Sequence, residues 1–358
     1  MRTTLAVALA GLWLVPLAGC RPSAEKAAAP KSEATTKQGA PQKQKPPSPA
    51  PGVGESISQG AAPRPKPPRK AIGLSVLTMT NPFFKTIADT MTEEAAKHGY
   101  EVLVVSGEDN VARQKDQVKD FIVRRVAAIV LCPCDSKAIG PVIQEANEAG
   151  IPVFTADIAC LAPDAKVVSH VATDNFSGGK EAARAMIEAL GEAGGDVAIL
   201  DYKQVESCIL RVQGFKEEIA KHNASSKGGQ IRIVAELPGG GAKDRGYKAT
   251  EDLLQSQRQL VGIFAINDPS GLGARAALEK AGRADQVKII AFDGQPEGKQ
   301  AIKEGKIYAD PIQYPDRIGR EAVRAIVRYF DGEEVPKEIL IPTSLYRRAD
   351  AEKDPALK

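Results

Sequence analysis

Histidine and the usual catalytic spacings are nearly missing from this sequence. Of 358 residues only three are histidine, and His98, His170 and His222 are scattered along the chain. No CxxC, HExxH or GxSxG occurs, and neither glycine-rich stretch, "GGGAKD" or "SGGKE", fits GxxxxGK[ST]. These absences argue against a zinc site, a serine hydrolase and a phosphate-binding loop. We therefore predict a protein that is not an enzyme and that uses no cofactor and no metal.

Aromatic residues are also scarce, at 5% of the chain, so a cluster of them is informative. The stretch "LTMTNPFF" sets Phe83 and Phe84 side by side at the start of a helical-looking segment. Asn81 is a natural N-cap and Pro82 suits the first helical position. The spacing puts Phe83 on the buried face of that helix and Phe84 beside it, near the end of the preceding strand. A core role and a binding role both stay open for the two rings.

The first twenty residues predict a secretory signal. Residues 1–20 hold one arginine, Arg2, followed by an apolar stretch that Gly11 and Pro16 interrupt, and they are too few for a transmembrane helix. They end in "LAGC", which resembles the lipobox of bacterial lipoproteins and implies lipidation of Cys20. An uncleaved hydrophobic anchor is the alternative. Both interpretations place the rest of the chain outside the cytoplasm and attached to a membrane.

Residues 21–70 predict a disordered tether. The segment is rich in proline, alanine and lysine and has no aromatic residue, so it cannot bury enough surface to fold. It carries ten Lys or Arg against three Glu, which leaves a net charge of −5 on residues 71–358. A mildly acidic folded part argues against nucleic acid as a partner.

Four cysteines lie beyond the signal, and an exported protein permits disulfides. Cys132 and Cys134 belong to "CPC", which is too tight for an ordinary mutual bridge. The pairing that we favour, if a bridge forms, joins one of these two to Cys160. Free thiols are the alternative.

Eight short, nearly continuous apolar runs predict strands that are covered on both faces, as in parallel sheets. They are residues 71–77, 100–106, 127–132, 151–157, 196–201, 231–237, 261–267 and 287–293. Most are separated by segments of helical periodicity, such as 81–99 and 175–194. Strand–helix alternation predicts a doubly wound α/β architecture, and this number of strands predicts two sheets in two lobes.

In open α/β sheets, ligands bind beyond the carboxyl ends of the strands. The polar residues that follow the predicted strands are Asn81, Asp157, Asp201, Asn267, Asp268 and Asp293. Any one of them alone is more simply a helix cap, but together they end strands in both predicted lobes. Carboxylates and amides that hold hydroxyl groups, with rings against apolar C–H faces, are typical of a sugar site.

Five motifs resemble the ribose-binding branch of periplasmic sugar-binding proteins, the type I periplasmic binding proteins. They are "NPFF", "VVSHVATDNFSGGK", "AINDPSGLGARAALEKAG", "IIAFDGQPEG" and "IQYPDRIG", and the similarity runs from about residue 71 to residue 349. The resemblance implies two doubly wound parallel-sheet lobes joined by a three-stranded hinge. The N-terminal lobe would comprise 71–173 and 314–343, and the C-terminal lobe 174–313 and 344–350.

The resemblance also implies a set of ligand-binding residues, in which Arg211 and Gln313 are added to positions already marked by the strand ends. The implied set is Asn81, Phe83, Phe84, Asp157, Arg211, Asn267, Asp293 and Gln313. The chain departs from the family at Ile158, where an arginine is usual, and at Lys243, where an aromatic residue is frequent. The loop "DYKQVESCILR" has no close match, which leaves Glu206, Ser207 and Cys208 without an assigned role.

The function that the resemblance implies is capture and delivery. A monomeric, lipid-anchored periplasmic lipoprotein would close on a monosaccharide and present it to an ABC permease and its ATPase. The departures predict a ligand other than ribose: another pentose, a hexose, a polyol or a furanose-like signal molecule. A sensing subunit for a chemoreceptor or sensor kinase is the alternative. A sugar-responsive repressor would need a DNA-binding motif where this chain has its signal and tether.

Overall fold

The structure is a computed structural model that describes residues 70–357. The predicted signal at 1–20, the lipidation of Cys20 and the tether up to Arg69 lie outside the described residues. From Lys70 to Leu357, no helix is both long and apolar enough to cross a membrane.

Residues 70–357 form twelve strands, which include all eight that the apolar runs predict. They are β1 (Ala71–Val76), β2 (Glu101–Ser106), β3 (Ala128–Leu131), β4 (Val153–Ala156), β5 (His170–Thr173), β6 (Gly195–Asp201), β7 (Ile231–Pro238), β8 (Leu260–Ala265), β9 (Lys288–Ile290), β10 (Ala309–Ile312), β11 (Glu338–Ile341) and β12 (Ser344–Arg347). The strands that the sequence did not predict are β5, β10, β11 and β12.

Ten α-helices connect these strands over the same residues. They are α1 (Pro82–Lys97), α2 (Val111–Val123), α3 (Gly140–Glu148), α4 (Asn175–Leu190), α5 (Glu206–Ser225), α6 (Lys243–Ser256), α7 (Asp268–Lys280), α8 (Pro296–Lys303), α9 (Pro315–Phe330) and α10 (Arg348–Ala351). A 3-10 turn, Gly191–Ala193, follows α4. Asn81 caps α1 and Pro82 is its first residue, as predicted.

The strands make two sheets of six. The first has the order β11-β5-β4-β3-β1-β2, and all its pairs are parallel. The second has the order β12-β10-β9-β8-β6-β7 and is parallel except where β12 pairs antiparallel with β10. Each sheet with its helices is one lobe, called here the first and the second lobe. The predicted fold class, two doubly wound parallel-sheet lobes, is confirmed.

Helices cover both faces of each sheet, which is why the strands carry apolar residues at consecutive positions. In the first lobe, Leu74 packs on the face that holds Phe83 of α1, whereas Ile129 and Leu131 pack with Phe121 of α2. In the second lobe, the same alternation divides the core between α4 and α5 on one face and α6, α7 and α8 on the other. Because helices cover both faces of a sheet, its strands cannot rotate, and the side chains at their ends keep a fixed direction.

Two glycines bring α4 and α5 into close contact. A Cβ on Gly179 of α4 would overlap the backbone of Arg211 on α5, and a Cβ on Gly214 of α5 would overlap the backbone of Phe176 on α4. The two helices therefore pack backbone to backbone. This contact fixes the height of Arg211 above the sheet of the second lobe.

The chain crosses between the lobes three times. It passes from β5 to β6, from β10 to β11, and from β11 to β12. The third connection consists of Pro342 and Thr343 alone. These crossings form the three-stranded hinge that the resemblance implied. The predicted lobe limits at residues 173, 313 and 343 stay predictions.

Of the two alternatives that the sequence left open for the cysteines, the structure has free thiols. Cys132, Cys134, Cys160 and Cys208, the cysteines within the described range, are all free. Cys132 and Cys134 pack into the core on the α1 face of the first sheet, and the Cys134 thiol donates to the Leu77 carbonyl over 3.7 Å. Cys160 packs against the core on the opposite face, so the sheet lies between the two groups of thiols.

Candidate binding site

A cavity of about 610 Å³ lies where the carboxyl ends of both sheets face each other. All the predicted ligand-binding residues line it: Asn81, Phe83, Phe84, Asp157, Arg211, Asn267, Asp293 and Gln313. The position follows from the topology, because parallel strands deliver their following residues to one edge of a sheet. Of the other two strand-end candidates, Asp268 also lines the cavity, whereas Asp201 does not and instead accepts from the Tyr202 N–H at 2.6 Å.

Two asparagines line the cavity from helix N-termini. Asn81 Oδ1 accepts from the Phe83 N–H at 3.0 Å, and Asn267 Oδ1 accepts from the Ser270 N–H at 3.0 Å. Asn267 also donates from Nδ2 to the Gly241 carbonyl at 3.0 Å. Capping and cavity lining are therefore compatible, because the cap uses the amide oxygen and leaves N–H groups of the same side chain for a ligand.

Phe83 and Phe84 are both buried and both line the cavity. Their rings meet edge to face with centroids 5.4 Å apart. Both also belong to the core of the first lobe. The two sequence interpretations, core and cavity wall, are therefore not exclusive, since one face of each ring can support the core while another faces the cavity.

Arg211, Asp293 and Gln313 form a buried network. Arg211 donates from Nη1 to Asp293 Oδ1 at 3.1 Å, and Gln313 donates from Nε2 to the same oxygen at 2.6 Å. The Arg211 guanidinium also lies 3.9 Å from the centroid of the Phe292 ring. A guanidinium held between a ring and a carboxylate has few orientations left, so its remaining N–H groups are fixed in direction.

A second layer of contacts supports this network. Arg211 Nε donates to Asn175 Oδ1 at 2.8 Å, and its Nη1 also donates to the Ile266 carbonyl at 2.7 Å. Thr173 at the end of β5 donates to Gln313 Oε1 at 2.7 Å. Because β5 belongs to the first lobe and Gln313 follows a strand of the second, this last bond joins the lobes beside the hinge.

Two aspartates of the cavity have unusual backbone angles. Asp157 directly follows β4 with φ of 64°, and Asp293 follows β9 with φ of 112°. Non-glycine residues seldom take positive φ, and such strain concentrates at functional sites. Both of these aspartates line the cavity.

Burial changes the protonation of these carboxyl groups. Burial raises the pKa of Asp157 from 3.8 to about 7; the Arg211 guanidinium lowers it, while Asp293 and Glu206 raise it further. Burial also raises the pKa of Asp293 to about 6, although Arg211 and Gln313 both lower it. Asp293 has these two partners, whereas Asp157 Oδ1 has no hydrogen-bond partner among the described residues.

The departures from the family pattern lie at distinct places. Ile158 is buried and lines the cavity next to Asp157, so this part of the wall is apolar. Lys243 lies at the exposed mouth, where its Nζ is 3.9 Å from Glu297 Oε2. Ser207 and Cys208 line the cavity, and burial raises the pKa of the Cys208 thiol to about 12, which keeps it protonated and unreactive.

Tyr202 and Asp109 line the cavity, although neither was among the candidates chosen from the sequence. Tyr202 follows β6 in the loop that has no family match, and it brings a ring to the cavity from the second lobe. Burial raises its pKa to about 12, and Asp109 across the cavity adds to the rise. Tyr202 directly follows the predicted strand 196–201. Because strand ends are where a ligand site is expected, this position was the signal that could have selected it.

The described side chains are not arranged as a metal site. Across residues 70–357, no group of three or more His, Cys, Asp or Glu side chains is placed to hold a metal ion. The cavity offers carboxylate acceptors, amide and guanidinium donors, and aromatic and aliphatic surface. Such a set can hold a small polar molecule by its hydroxyl groups.

Comparison with known protein families decides the class. Residues 72–334 match the family model described as a periplasmic binding protein domain. The chain belongs to this family. As a periplasmic binding protein, it is a solute-binding protein and not an enzyme, and its place is outside the cytoplasm.

Two relatives of this periplasmic binding protein cover most of the chain. The ribose import binding protein RbsB of Salmonella typhimurium is 34% identical over 267 residues, which are 75% of this chain and 87% of that protein. The D-apiose import binding protein of Paraburkholderia graminis is 30% identical over 275 residues, which are 76% and 86% of the two chains.

A solved structure shares the whole two-lobe fold. An ABC transporter solute binding protein from Agrobacterium vitis, bound with alpha-D-tagatopyranose, superposes with a TM-score of 0.74 at 26% identity. The match covers 80% of this chain and 97% of that one. The lobes and the crossings of this periplasmic binding protein are thus those of sugar-binding relatives.

Proposed function

We propose that this protein captures a monosaccharide or a related polyol between its lobes and delivers it to an ABC transporter. The observation that carries the proposal is the joint presence of the eight predicted binding residues on one cavity at the strand ends of both lobes. The names of the relatives, import binding proteins for ribose and D-apiose, support a sugar as ligand and import as purpose. They favour transport over a sensing role.

The proposed ligand lies between Phe83 and Phe84 on the first lobe and Tyr202 on the second. Its C–H faces meet the rings, and its hydroxyl groups donate to Asp157 and Asp293. Arg211 and the two asparagines Asn81 and Asn267 supply the N–H donors. Because these groups come from both lobes, the ligand stabilises the closed form over the open form by contacting both at once.

Ile158 bears on which sugar binds. It presents an aliphatic surface beside Asp157, so that part of the cavity offers no donor to a hydroxyl oxygen. A ligand with a hydroxyl oxygen there would leave it unpaired, which disfavours binding. We therefore propose a ligand other than ribose, drawn from pentoses, hexoses and polyols.

We further propose that the mature protein is a monomer anchored to a membrane by lipid on Cys20. The tether would then hold the lobes near the permease. The support is the sequence alone, in "LAGC" and in the proline-rich composition of residues 21–70. Replacing Cys20 by serine and separating membrane from soluble fractions tests the anchor; a variant that stays in the membrane fraction refutes it.

A thermal-shift screen of the purified protein tests the proposed function. A ligand that binds the folded protein alone raises the midpoint by mass action, worth about 2.7 kcal/mol at a hundred times Kd. We expect one or more pentoses, hexoses or polyols to raise the midpoint, and calorimetry then gives the affinity. If no sugar or polyol shifts the midpoint while other small solutes do, the proposal is wrong.

A further inference from the structure

The cavity has more acidic than basic side chains in its lining. Its lining includes six carboxyl groups, from Asp109, Asp157, Asp244, Asp268, Asp293 and Glu297. The only cationic side chains of the described lining are Arg211 and Lys243. A neutral sugar needs hydrogen-bond acceptors, but it does not need an excess of negative charge. A cleft of one sign with low-dielectric walls instead concentrates ligands of the opposite sign.

Neither cation forms an ion pair with Asp157 among the described residues. Lys243 is at the mouth and faces Glu297, and both side chains are mostly exposed, at 63% and 78%. Arg211 is buried, but its Nη1 serves Asp293 and the Ile266 carbonyl, and its Nε serves Asn175. The buried guanidinium is therefore the partner of Asp293, and another buried carboxyl group of the lining has no such partner.

Asp157 is that carboxylate, and it lacks a cation of its own. The residue is 4% exposed, and its Oδ1 has no hydrogen-bond partner in the described part of the chain. The titratable groups around it are Arg211, Glu206 and Cys208 of α5, Asp293 after β9 and Cys132 after β3. One cation thus faces three carboxyl groups, while the neighbouring Ile158 contributes only apolar surface.

A hydroxyl group would satisfy the geometry of Asp157 but not its charge. It donates one hydrogen bond but brings no counterion, so the buried carboxyl keeps its proton instead of ionising. A protonated amine of similar size donates up to three hydrogen bonds and supplies the missing charge.

We propose, building on the sugar-binding function above, that the cavity selects an amino sugar or amino polyol whose ammonium group pairs with Asp157. The amine takes the place of one hydroxyl of the ring, and the rest of the ligand is held as already described. The carboxyl of Asp157 loses its proton when the ammonium arrives, so binding releases a proton to solvent. Consistent with this step, burial raises the pKa of the empty Asp157 to about 7.

Matched ligand pairs test the proposal. Calorimetry at pH 6.5 compares glucosamine with glucose, galactosamine with galactose, mannosamine with mannose, and 2-amino-2-deoxypentoses with their pentoses. We expect at least one amine to bind tenfold or more tightly than its hydroxyl twin. The N-acetyl derivative of that amine has no charge and should lose the advantage. If every amine binds no better than its twin, the proposal is wrong.

Asp157→Asn separates charge from shape. Asparagine tolerates positive φ, so the variant suits the backbone at this position. It should weaken the preferred amine at least tenfold more than it weakens the neutral twin. The control is Asp174→Asn, which removes one carboxylate at the N-cap of α4, away from the cavity, and should change neither affinity. An unchanged preference in Asp157→Asn overturns the proposal.

Two further outcomes keep this proposal apart from the proposed function. If neutral sugars bind and amines do not, the sugar-binding function stands and the amine preference falls. If neither kind binds, both fall. Repeating the calorimetry in two buffers of different protonation enthalpy measures proton release, which should occur with the wild type and vanish in Asp157→Asn.

Discussion

Ser136 and Glu206 tie the two lobes together at the side of the cavity. Ser136 Oγ, on the segment after β3, accepts from the Glu206 N–H at the start of α5 over 2.9 Å. The Ser136 N–H donates to the Gln204 carbonyl, also over 2.9 Å. The Glu206 carboxylate in turn accepts from the backbone of Ala159 in the first lobe. Direct contacts of this kind hold the lobes together independently of any ligand.

Ser136→Ala should therefore loosen the closed form. The substitution removes one hydrogen bond between the lobes, worth about 1 kcal/mol, or roughly a fivefold fall in the ratio of closed to open forms. Small-angle scattering of the ligand-free variant should give a larger radius of gyration, and sugar affinity should fall by a similar factor. Ser177→Ala, at an exposed position in the first turn of α4, is the control. Equal radii for both variants would contradict a bridging role.

Asp293→Ala should weaken sugar binding by roughly tenfold or more. The change removes an acceptor and leaves the buried Arg211 guanidinium without its carboxylate, which costs about 3–5 kcal/mol in other buried pairs. Arg211→Ala should reduce affinity as strongly. Calorimetry well below the midpoint of each variant separates affinity from stability.

Asp293→Asn is the milder companion. It keeps an oxygen for Gln313 and suits the positive φ, so it should lie between the wild type and the alanine variant. If both alanine variants bind like the wild type, the assignment of these residues to the site is wrong.

Phe84→Leu should separate the two roles of the ring. Leucine keeps much of the buried volume but removes the flat face, so we expect affinity to fall about tenfold and the unfolding free energy by less than about 2 kcal/mol. Phe121→Leu is the matched control, because Phe121 is buried on the other face of the same sheet and does not line the cavity. It should cost similar stability and leave affinity intact. An affinity loss in neither variant would make Phe84 a core residue only.

His170 should make the protein less stable in mild acid. Burial lowers its pKa from 6.5 to about 4, although a bond with Thr155 opposes the shift. Below pH 6.5 the unfolded chain takes up a proton that the folded protein refuses. The stability present above pH 6.5 is therefore lost as pH falls toward 4, by about 3 kcal/mol in all.

The difference between wild type and His170→Gln isolates this contribution. Buried carboxyls with raised pKa, such as Asp157, act in the opposite direction and are common to both proteins. Denaturant titrations from pH 4 to 8 should show a shallower loss of stability toward acid in the variant. Parallel curves would mean that His170 titrates normally in the folded state.

Labelling should count the four free thiols of residues 70–357. Unfolding the protein without reductant and labelling with iodoacetamide should modify Cys132, Cys134, Cys160 and Cys208, as read by mass spectrometry of their peptides. Among these four, only Cys160, which is partly exposed, should react at an appreciable rate in the native protein. A pair of unlabelled cysteines in the unfolded sample would instead show that a disulfide forms.

The sequence predicted the eight strands that carry nearly continuous apolar runs and missed four strands beside the hinge, whose runs are shorter or interrupted. Runs such as 127–132 are apolar throughout and could be recognised locally. The missed strands β5, β10, β11 and β12 are four residues each, and β10 contains Pro311. Their pairing comes from distant partners, such as β5 with β11, so no local pattern distinguishes them.

The site was predictable where position alone selects a residue. Asn81, Asp157, Asn267 and Asp293 follow strands and were found from that rule. Arg211 is inside a helix, and its direction depends on the close packing of α4 and α5, so it came only from family resemblance. The positive φ of Asp157 and Asp293 is a tertiary property, and neither residue type nor spacing encodes it.

The connection through Pro342 and Thr343 limits how the protein can move. Two residues cannot stretch, so the lobes can swing about this end but cannot draw apart there. Gln313, bonded to Thr173 next to this pivot, should keep its neighbours throughout the swing. Phe84 and Tyr202 come from opposite lobes, and their separation changes with the angle. A ligand that enters the open form therefore meets the contacts around Gln313 already formed. The rings of Phe84 and Tyr202 come together on it only as the lobes close.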